Sequence, residues 1–128
     1  MADPTLALHT ALLAALQGVC SCDVWDGVPQ DTAYPYVVME YTSSSNADFI
    51  GGQRVDERYV YLSVWSRVDG QAEVMDIMSE IDTLNEQPLT LSTGHMSSLR
   101  VDRKRTFRET DALTFRGQVV LRVLTTHF

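Results

Sequence analysis

Two cysteines and three histidines are the side chains of this sequence best suited to nucleophilic or metal chemistry. Cys20 and Cys22 stand two residues apart, whereas the histidines are scattered at positions 9, 95 and 127. A zinc site needs four ligands at short spacings, and a cysteine nucleophile needs a base beside it. The spacing provides neither, so we expect no metal and interpret both thiols as buried or half-buried side chains. A small enzyme that uses Cys20 or Cys22 remains an alternative.

Phosphate-binding and carboxylate chemistry also lack their usual patterns. The Gly51-Gly52 pair is not followed by the Lys-Ser/Thr that a P-loop requires. Five carboxylates occur on one helical segment, where such residues are typical of a solvated face. The sequence therefore predicts no catalytic residue, no cofactor and no enzyme activity.

Charge is divided unevenly along the chain. Residues 1–99 contain three Arg/Lys against 14 Asp/Glu, a net charge of −11, and residues 100–128 contain seven against three, a net charge of +4. The total of −7 disfavours general binding to nucleic acid, which depends on neutralising phosphates. A chain with one acidic and one basic region is instead suited to pairing with copies of itself.

The basic residues concentrate in one predicted strand, 99–108, and their role has three interpretations. They guard a sheet edge against unwanted pairing, bind nucleic acid, or contact another subunit. We expect the subunit contact, with these residues on its basic side: Arg100, Arg103, Lys104, Arg105 and Arg108. The acidic counterpart is predicted on the second helix, at Glu73, Asp76 and Glu80. Strand alternation predicts that Arg103 and Arg105 share a face with Leu99, Val101 and Phe107.

Two amphipathic segments predict helices. Leucine and alanine dominate Thr5–Gln17, with Asp3 expected as N-cap, Pro4 as the first helical residue and Gly18 as the stop. Apolar residues recur at helical spacing through Gln71–Asn85.

Strands are predicted where β-branched, aromatic and alternating residues occur, at Val19–Trp25, Tyr36–Tyr41, Asp56–Arg67, Leu99–Arg108 and Leu113–Thr126. In the third of these, Val60, Leu62 and Val64 lie on one face and Tyr59, Tyr61 and Trp65 on the other. The order of elements predicts a single domain over residues 1–128. Its class is α+β, a mostly antiparallel sheet with two helices packed on one face.

A long loop is predicted at Thr42–Gln53, which contains serines, Asn46 and two glycines. Hairpin loops usually need two to five residues, so this excess length calls for a reason. The tip either folds back on its own domain or docks on a partner protein. We expect a mobile loop whose tip, Phe49, Ile50, Gly51 and Gly52, docks on a partner.

Several segments together resemble a known family over essentially the whole chain. They are the Asp3-Pro4 helix, the turn and strand from Asp26 to Met39, and the strand Val60–Ser66 followed directly by the helix 70–84. This pattern resembles the tail-completion, or tail-terminator, proteins of long-tailed bacteriophages and phage-derived gene transfer agents. The turn and strand from Asp26 to Met39 is its most specific part.

The resemblance implies a structural virion protein without cofactor or catalysis. Such proteins form a six-membered ring that terminates the tail tube and joins it to the head connector, or stopper, while the genome passes through. The expected partners are therefore other copies, the tail tube protein and the connector, with DNA only in transit. The alternative is a DNA-binding accessory protein that uses Arg100–Arg108.

The N-terminus lacks a basic leader, and no apolar run approaches the ~18 residues of a membrane span. We therefore expect no membrane partner. The expected location is the host cytoplasm during assembly and then the head-proximal end of the tail in the finished particle.

Overall fold

In the computed structural model, which describes residues 3–28, 31–47, 54–67, 71–109 and 113–127, helices and strands follow the predicted order. The elements are α1 (Thr5–Val19), β1 (Asp23–Trp25), β2 (Tyr36–Asn46), β3 (Arg54–Ser66), α2 (Ala72–Asp82), β4 (His95–Arg108) and β5 (Phe115–His127).

The strands form one sheet in the order β1-β2-β3-β5-β4. Only β1 and β2 run parallel, and each other neighbouring pair is antiparallel. Strands that follow one another closely in sequence pair as hairpins, which gives β2–β3 and β4–β5. The predicted α+β class and the predicted mostly antiparallel sheet are confirmed.

Both helices lie on the same face of the sheet, which we call the helix face. Leu8, Leu12 and Leu16 of α1 are buried at a spacing of four residues, as expected for one side of a helix. Buried residues of α2 fall at the same period, at Val74, Ile77, Met78 and Ile81. They join a single core with alternate residues of β3 and β5, including Val60, Leu62, Val64, Val119, Leu121 and Val123.

Gly117 sets the close approach of α2 to β5. A Cβ at this position would lie 2.5 Å from Val74 Cγ1 and 2.6 Å from Met78 Sδ. Because these distances are well below van der Waals contact, the absence of a side chain here lets the helix pack directly on the strand.

The ends of α1 differ from the prediction. Pro4 is the N-cap, and Asp3 makes no capping bond because its carboxylate accepts a hydrogen bond from the Thr5 hydroxyl and another from Arg58. The helix continues past Gly18 to Val19. Leu6 is 75% exposed, so the apolar face of α1 is narrower than its leucine content suggests.

The loop predicted at Thr42–Gln53 is wrong for its first five residues. Thr42–Asn46 extend β2 and pair with β3, with Ser43 opposite Tyr59 and Ser45 opposite Glu57. The serines do not favour a strand by propensity. Pairing with β3 nevertheless holds them in one, so the tertiary context overrides β-propensity here. The ends of the other elements differ less from the prediction: β1 is shorter than predicted, α2 ends at Asp82, and β4 begins at His95.

Candidate subunit-contact surface

A buried polar cluster holds the beginning of α1 to the far end of the sheet. Arg58 is 1% exposed and donates hydrogen bonds to Asp3 Oδ1 (2.6 Å), Thr5 Oγ1 (2.7 Å), Thr125 Oγ1 (2.9 Å) and Asp56 Oδ2 (3.3 Å). A guanidinium that is removed from water requires such partners to offset its desolvation. The cluster therefore ties α1, β3 and β5 together.

The same cluster contains the ligand types of a metal site. Carboxylate oxygens of Asp3 and Asp56 and a nitrogen of His127 lie within 4.8 Å of one another. However, the Arg58 guanidinium already bonds both carboxylates. A side chain thus supplies the positive charge that a metal ion would bring, and the geometry favours a structural role for this cluster.

The two cysteines are unsuited to nucleophilic chemistry. Both are half-buried and free. Burial raises the pKa of the Cys20 thiol to about 12 and that of Cys22 to about 11, and the nearby Glu80 carboxylate raises both pKa values further. Because the thiolate is the reactive form, this arrangement counts against an enzyme based on either cysteine.

The basic strand β4 does not keep one alternation along its length. Its pairing with β5 shifts between Met96 and Ser98 and again between Val101 and Arg103. Leu99 and Val101 pair with Val123 and Leu121 on the helix face. After the second bulge, the side chains that lie over the helices change. Arg103 now lies opposite Val120, Arg105 opposite Gln118 and Phe107 opposite Arg116. The side chains of all three pairs point to the other face of the sheet, here called the open face. The predicted common face for Leu99, Val101, Arg103, Arg105 and Phe107 is therefore wrong, because a bulge inserts one extra residue.

The five predicted basic residues differ in their partners. Arg100 pairs with Glu86 at 2.9 Å, and Lys104 pairs with Asp82 at 3.0 Å. Arg105 donates to Gln118 Oε1 at 2.9 Å, and Arg108 lies over the Phe115 ring. Arg103 is exposed and forms no ion pair within the described residues. Among the described residues, Arg103 and Arg105 are thus the arginines on the open face that form no ion pair with a carboxylate.

The predicted acidic residues of α2 are also used unequally. Glu73 accepts a hydrogen bond from the Ser66 hydroxyl at 2.6 Å, and Glu80 accepts one from the Ser21 hydroxyl at 2.9 Å. Asp76 is exposed, with no ion pair in the described part of the chain. The carboxylates that do reach β4 are Asp82 and Glu86, which the sequence interpretation missed. Their place at the end of the helix that precedes the strand was the available signal.

The open face carries aromatic residues covered by no described helix. Tyr41 and Tyr61 stack with ring centroids 4.3 Å apart, and Arg116 lies over Trp65. Arg122 bonds Glu57 at 2.6 Å, and this hydrogen bond holds the pKa of Glu57 below its ordinary value. The prediction that Tyr59, Tyr61 and Trp65 lie on the face of β3 opposite Val60, Leu62 and Val64 is confirmed, and it is the latter face that packs into the core.

The two outer edges of the sheet differ in what covers them. The turn after α2 covers part of β4, since the Glu86 amide donates to Leu99 O and the Val101 amide donates to Asn85 Oδ1. On the other side, β1 pairs only with Tyr36, Val37 and Val38 of β2. No described strand lies beside the rest of β2, and residues 40–45 are exposed.

Two further observations bound the surface. The predicted docking tip, Phe49, Ile50, Gly51 and Gly52, lies outside the described residues, so its role remains a prediction. Among the helices that the structure describes, none is long and apolar enough to cross a membrane.

Comparisons with known proteins agree with this architecture. The chain matches the family described as Tail completion protein gp17 over residues 5–126. A solved chain from the virion of a native gene transfer agent particle has the same fold, with a TM-score of 0.85, 22% identity and coverage of 98% of this chain and 99% of that one. No curated protein sequence matches significantly.

Proposed function

The chain belongs to the Tail completion protein gp17 family, and we propose that six copies of it form a ring that terminates the tail tube at its head-proximal end. Family membership makes the protein a structural component of a phage-type tail. In the proposed arrangement, one surface of the ring binds the tail tube protein and the other binds the head connector. The genome passes through the centre during ejection.

The observation that carries this proposal is the family match over nearly the whole chain, from residue 5 to residue 126. The ring itself requires a heterologous contact, in which one patch on each subunit meets a different patch on the next.

Charge supplies the two different patches. The basic side is the exposed part of β4, where Arg103 and Arg105 lie on the open face. Two acidic surfaces of the neighbouring copy are available to it. One is α2, where Asp76 is the predicted residue without a hydrogen bond or ion pair among the described residues. The other lies beside β2, where Glu40 and Glu57 occur, each already bonded to an arginine of its own chain, Arg116 and Arg122.

The DNA-binding alternative has less support in the geometry. Arg100 and Lys104 each hold a carboxylate of their own chain, which removes two of the five charges from phosphate binding. The net charge of −7 also suits a protein that DNA passes without being retained. Salt-dependent binding of the purified protein to duplex DNA would favour the alternative instead.

The test is the number of copies in purified tails. Quantitative mass measurement on tails should give six copies per tail, all at the end that binds the head. Removing the protein should leave tails that fail to join heads. A single copy per tail, or copies spread along the tube, would contradict the proposal.

A further inference from the structure

In the part of the chain that the structure describes, the outer edge of β2 from Tyr41 to Ser45 lacks the features that normally prevent one sheet from pairing with another. Exposed strand edges are usually blunted by charges, proline, bulges or a covering segment. Between Tyr41 and Ser45 the residues are Tyr-Thr-Ser-Ser-Ser, without charge or proline. The only register shift of this pair comes earlier, between Met39 and Tyr41.

The outer edge of β4 shows the opposite design. It contains two bulges, part of it is covered by the turn after α2, and its exposed stretch from Arg103 to Arg108 carries four basic residues. Two β4 edges placed side by side would oppose arginine to arginine, which is destabilising across strands. This edge therefore rejects a copy of itself and requires an uncharged or acidic partner.

We propose that β4 of one copy adds to the open edge of β2 in the next copy, forming a continuous sheet between neighbouring subunits of the assembly. The proposal rests on the ring proposed above and specifies its contact. Strand addition of this kind combines main-chain hydrogen bonds with side-chain complementarity.

Strand direction is compatible with this pairing. The successive antiparallel pairs β2–β3, β3–β5 and β5–β4 make β4 antiparallel to β2 within one copy. Rotation about a ring axis that runs along the strands leaves these directions unchanged. The β4 strand of one copy therefore meets β2 of the next in the antiparallel sense.

Side chains favour one register of the pair. Placing Arg105 opposite Ser43 also places Phe107 opposite Tyr41 and Arg103 opposite Ser45, all on the open face. On the far side of Ser45 lies Glu57, its partner in β3. The small serines leave room for the arginines to extend over β2 toward Glu57, whose carboxylate they would share with Arg122 of the same chain. The Phe107 ring meets the exposed ring of Tyr41.

Charge substitutions at the β2 edge give the first test. Ser43→Lys with Ser45→Lys should reduce assembly about tenfold by opposing Arg103 and Arg105, whereas Ser43→Glu with Ser45→Glu should preserve it. Adding Arg103→Glu and Arg105→Glu to the lysine variant should restore assembly. The readouts are the yield of joined particles and the melting temperature of the free protein, which should stay equal among the variants. Equal loss in the lysine and glutamate variants, or failure of the charge exchange to restore assembly, would overturn the proposal.

Cross-linking gives a second, independent test. Ser43→Cys combined with Arg105→Cys should produce a ladder of disulfide-linked multimers under mild oxidation of purified tails, whereas each single variant should not. A dimer from Ser43→Cys alone would indicate β2–β2 pairing and overturn the proposal. Loss of assembly in Asp76→Lys, with the β2 variants unaffected, would place the contact on α2. If either of these results came with six copies per tail, the β4–β2 contact would be wrong but the proposed ring would remain. A single copy per tail would instead contradict the ring and with it the proposed function.

Discussion

Arg58 and Arg103 are arginines on two strands of the same sheet, yet their surroundings differ completely. Arg58 is buried on the helix face and bonds two carboxylates and two hydroxyls. Arg103 is exposed on the open face, after a bulge, with no carboxylate of its own chain within reach in the described residues.

The difference separates a charge that serves the fold from one that is available to a partner. Removing a buried charged partner leaves another charge uncompensated and costs several kcal/mol. An exposed charge on a strand contributes little to folding. The comparison predicts that stability and assembly respond to different arginines.

The largest expected effect is at the buried site. Arg58→Met should lower the free energy of unfolding by about 3–5 kcal/mol, because the buried Asp56 carboxylate loses its buried cation and keeps only the exposed Arg54. Urea denaturation measures this change. The matched control is Arg54→Met, which removes an exposed arginine that also pairs with Asp56, at 3.3 Å. It should cost less than about 1 kcal/mol. Equal costs would contradict the structural role assigned to Arg58.

A smaller effect is expected where the cluster reaches the surface. Asp3→Asn should cost about 1 kcal/mol, since it weakens a charged hydrogen bond to Arg58 from a side chain that solvent partly screens. Asp23→Asn, at an exposed position of β1, is the control and should be neutral. If Asp3→Asn is also neutral in denaturant unfolding, the beginning of α1 is not held by this bond.

The Asp3 contribution should also depend on pH. The hydrogen bond from Thr5, followed by that from Arg58, holds the pKa of Asp3 below its ordinary value of 3.8. A depressed pKa in the folded state means that the stabilisation is complete above the unfolded value and is lost as pH falls through the folded one. The stability difference between the natural protein and Asp3→Asn should thus be constant from pH 7 to about 5 and shrink in stronger acid. A difference that grows with acidification would refute the assignment.

The smallest effect on folding is expected at the open face. Arg103→Glu with Arg105→Glu should change the free energy of unfolding by less than about 0.5 kcal/mol and still reduce the yield of joined particles. Residual assembly should respond less to salt, because screening acts on the attraction that was removed. Arg67→Glu, an exposed arginine outside β4, is the control. Normal particle yield with a destabilised monomer would mean that these arginines serve the fold.

The sequence was informative where a pattern is local. The helical spacing of the apolar residues in α2 determines which side of that helix is buried, and alternation in β3 determines which residues share its core face. These periods follow from helix and strand geometry, so they can be read without knowing the neighbours. The segments that resemble tail-completion proteins were identified in the same way, and the family is confirmed.

The candidate contact was predictable in composition but not in orientation. The concentration of basic residues in 99–108 is plain from the sequence. Their direction is not, because the bulge between Val101 and Arg103 reverses the alternation and arises from the pairing with β5. Likewise, the sequence of Thr42–Asn46 predicts a loop, and only the pairing with β3 shows that these residues belong to a strand.

By itself, the sequence determined the α+β class, the buried faces of α2 and β3, and the concentration of positive charge near the C-terminus. Only the tertiary structure decided that Arg58 is buried among four partners, that Arg103 and Arg105 point away from the helices, and that no described strand covers the edge of β2 beyond Val38. The physical reason is the distance along the chain over which each kind of signal acts. Periodicity and propensity act between residues a few positions apart, whereas these three features depend on residues brought together from distant parts of the chain.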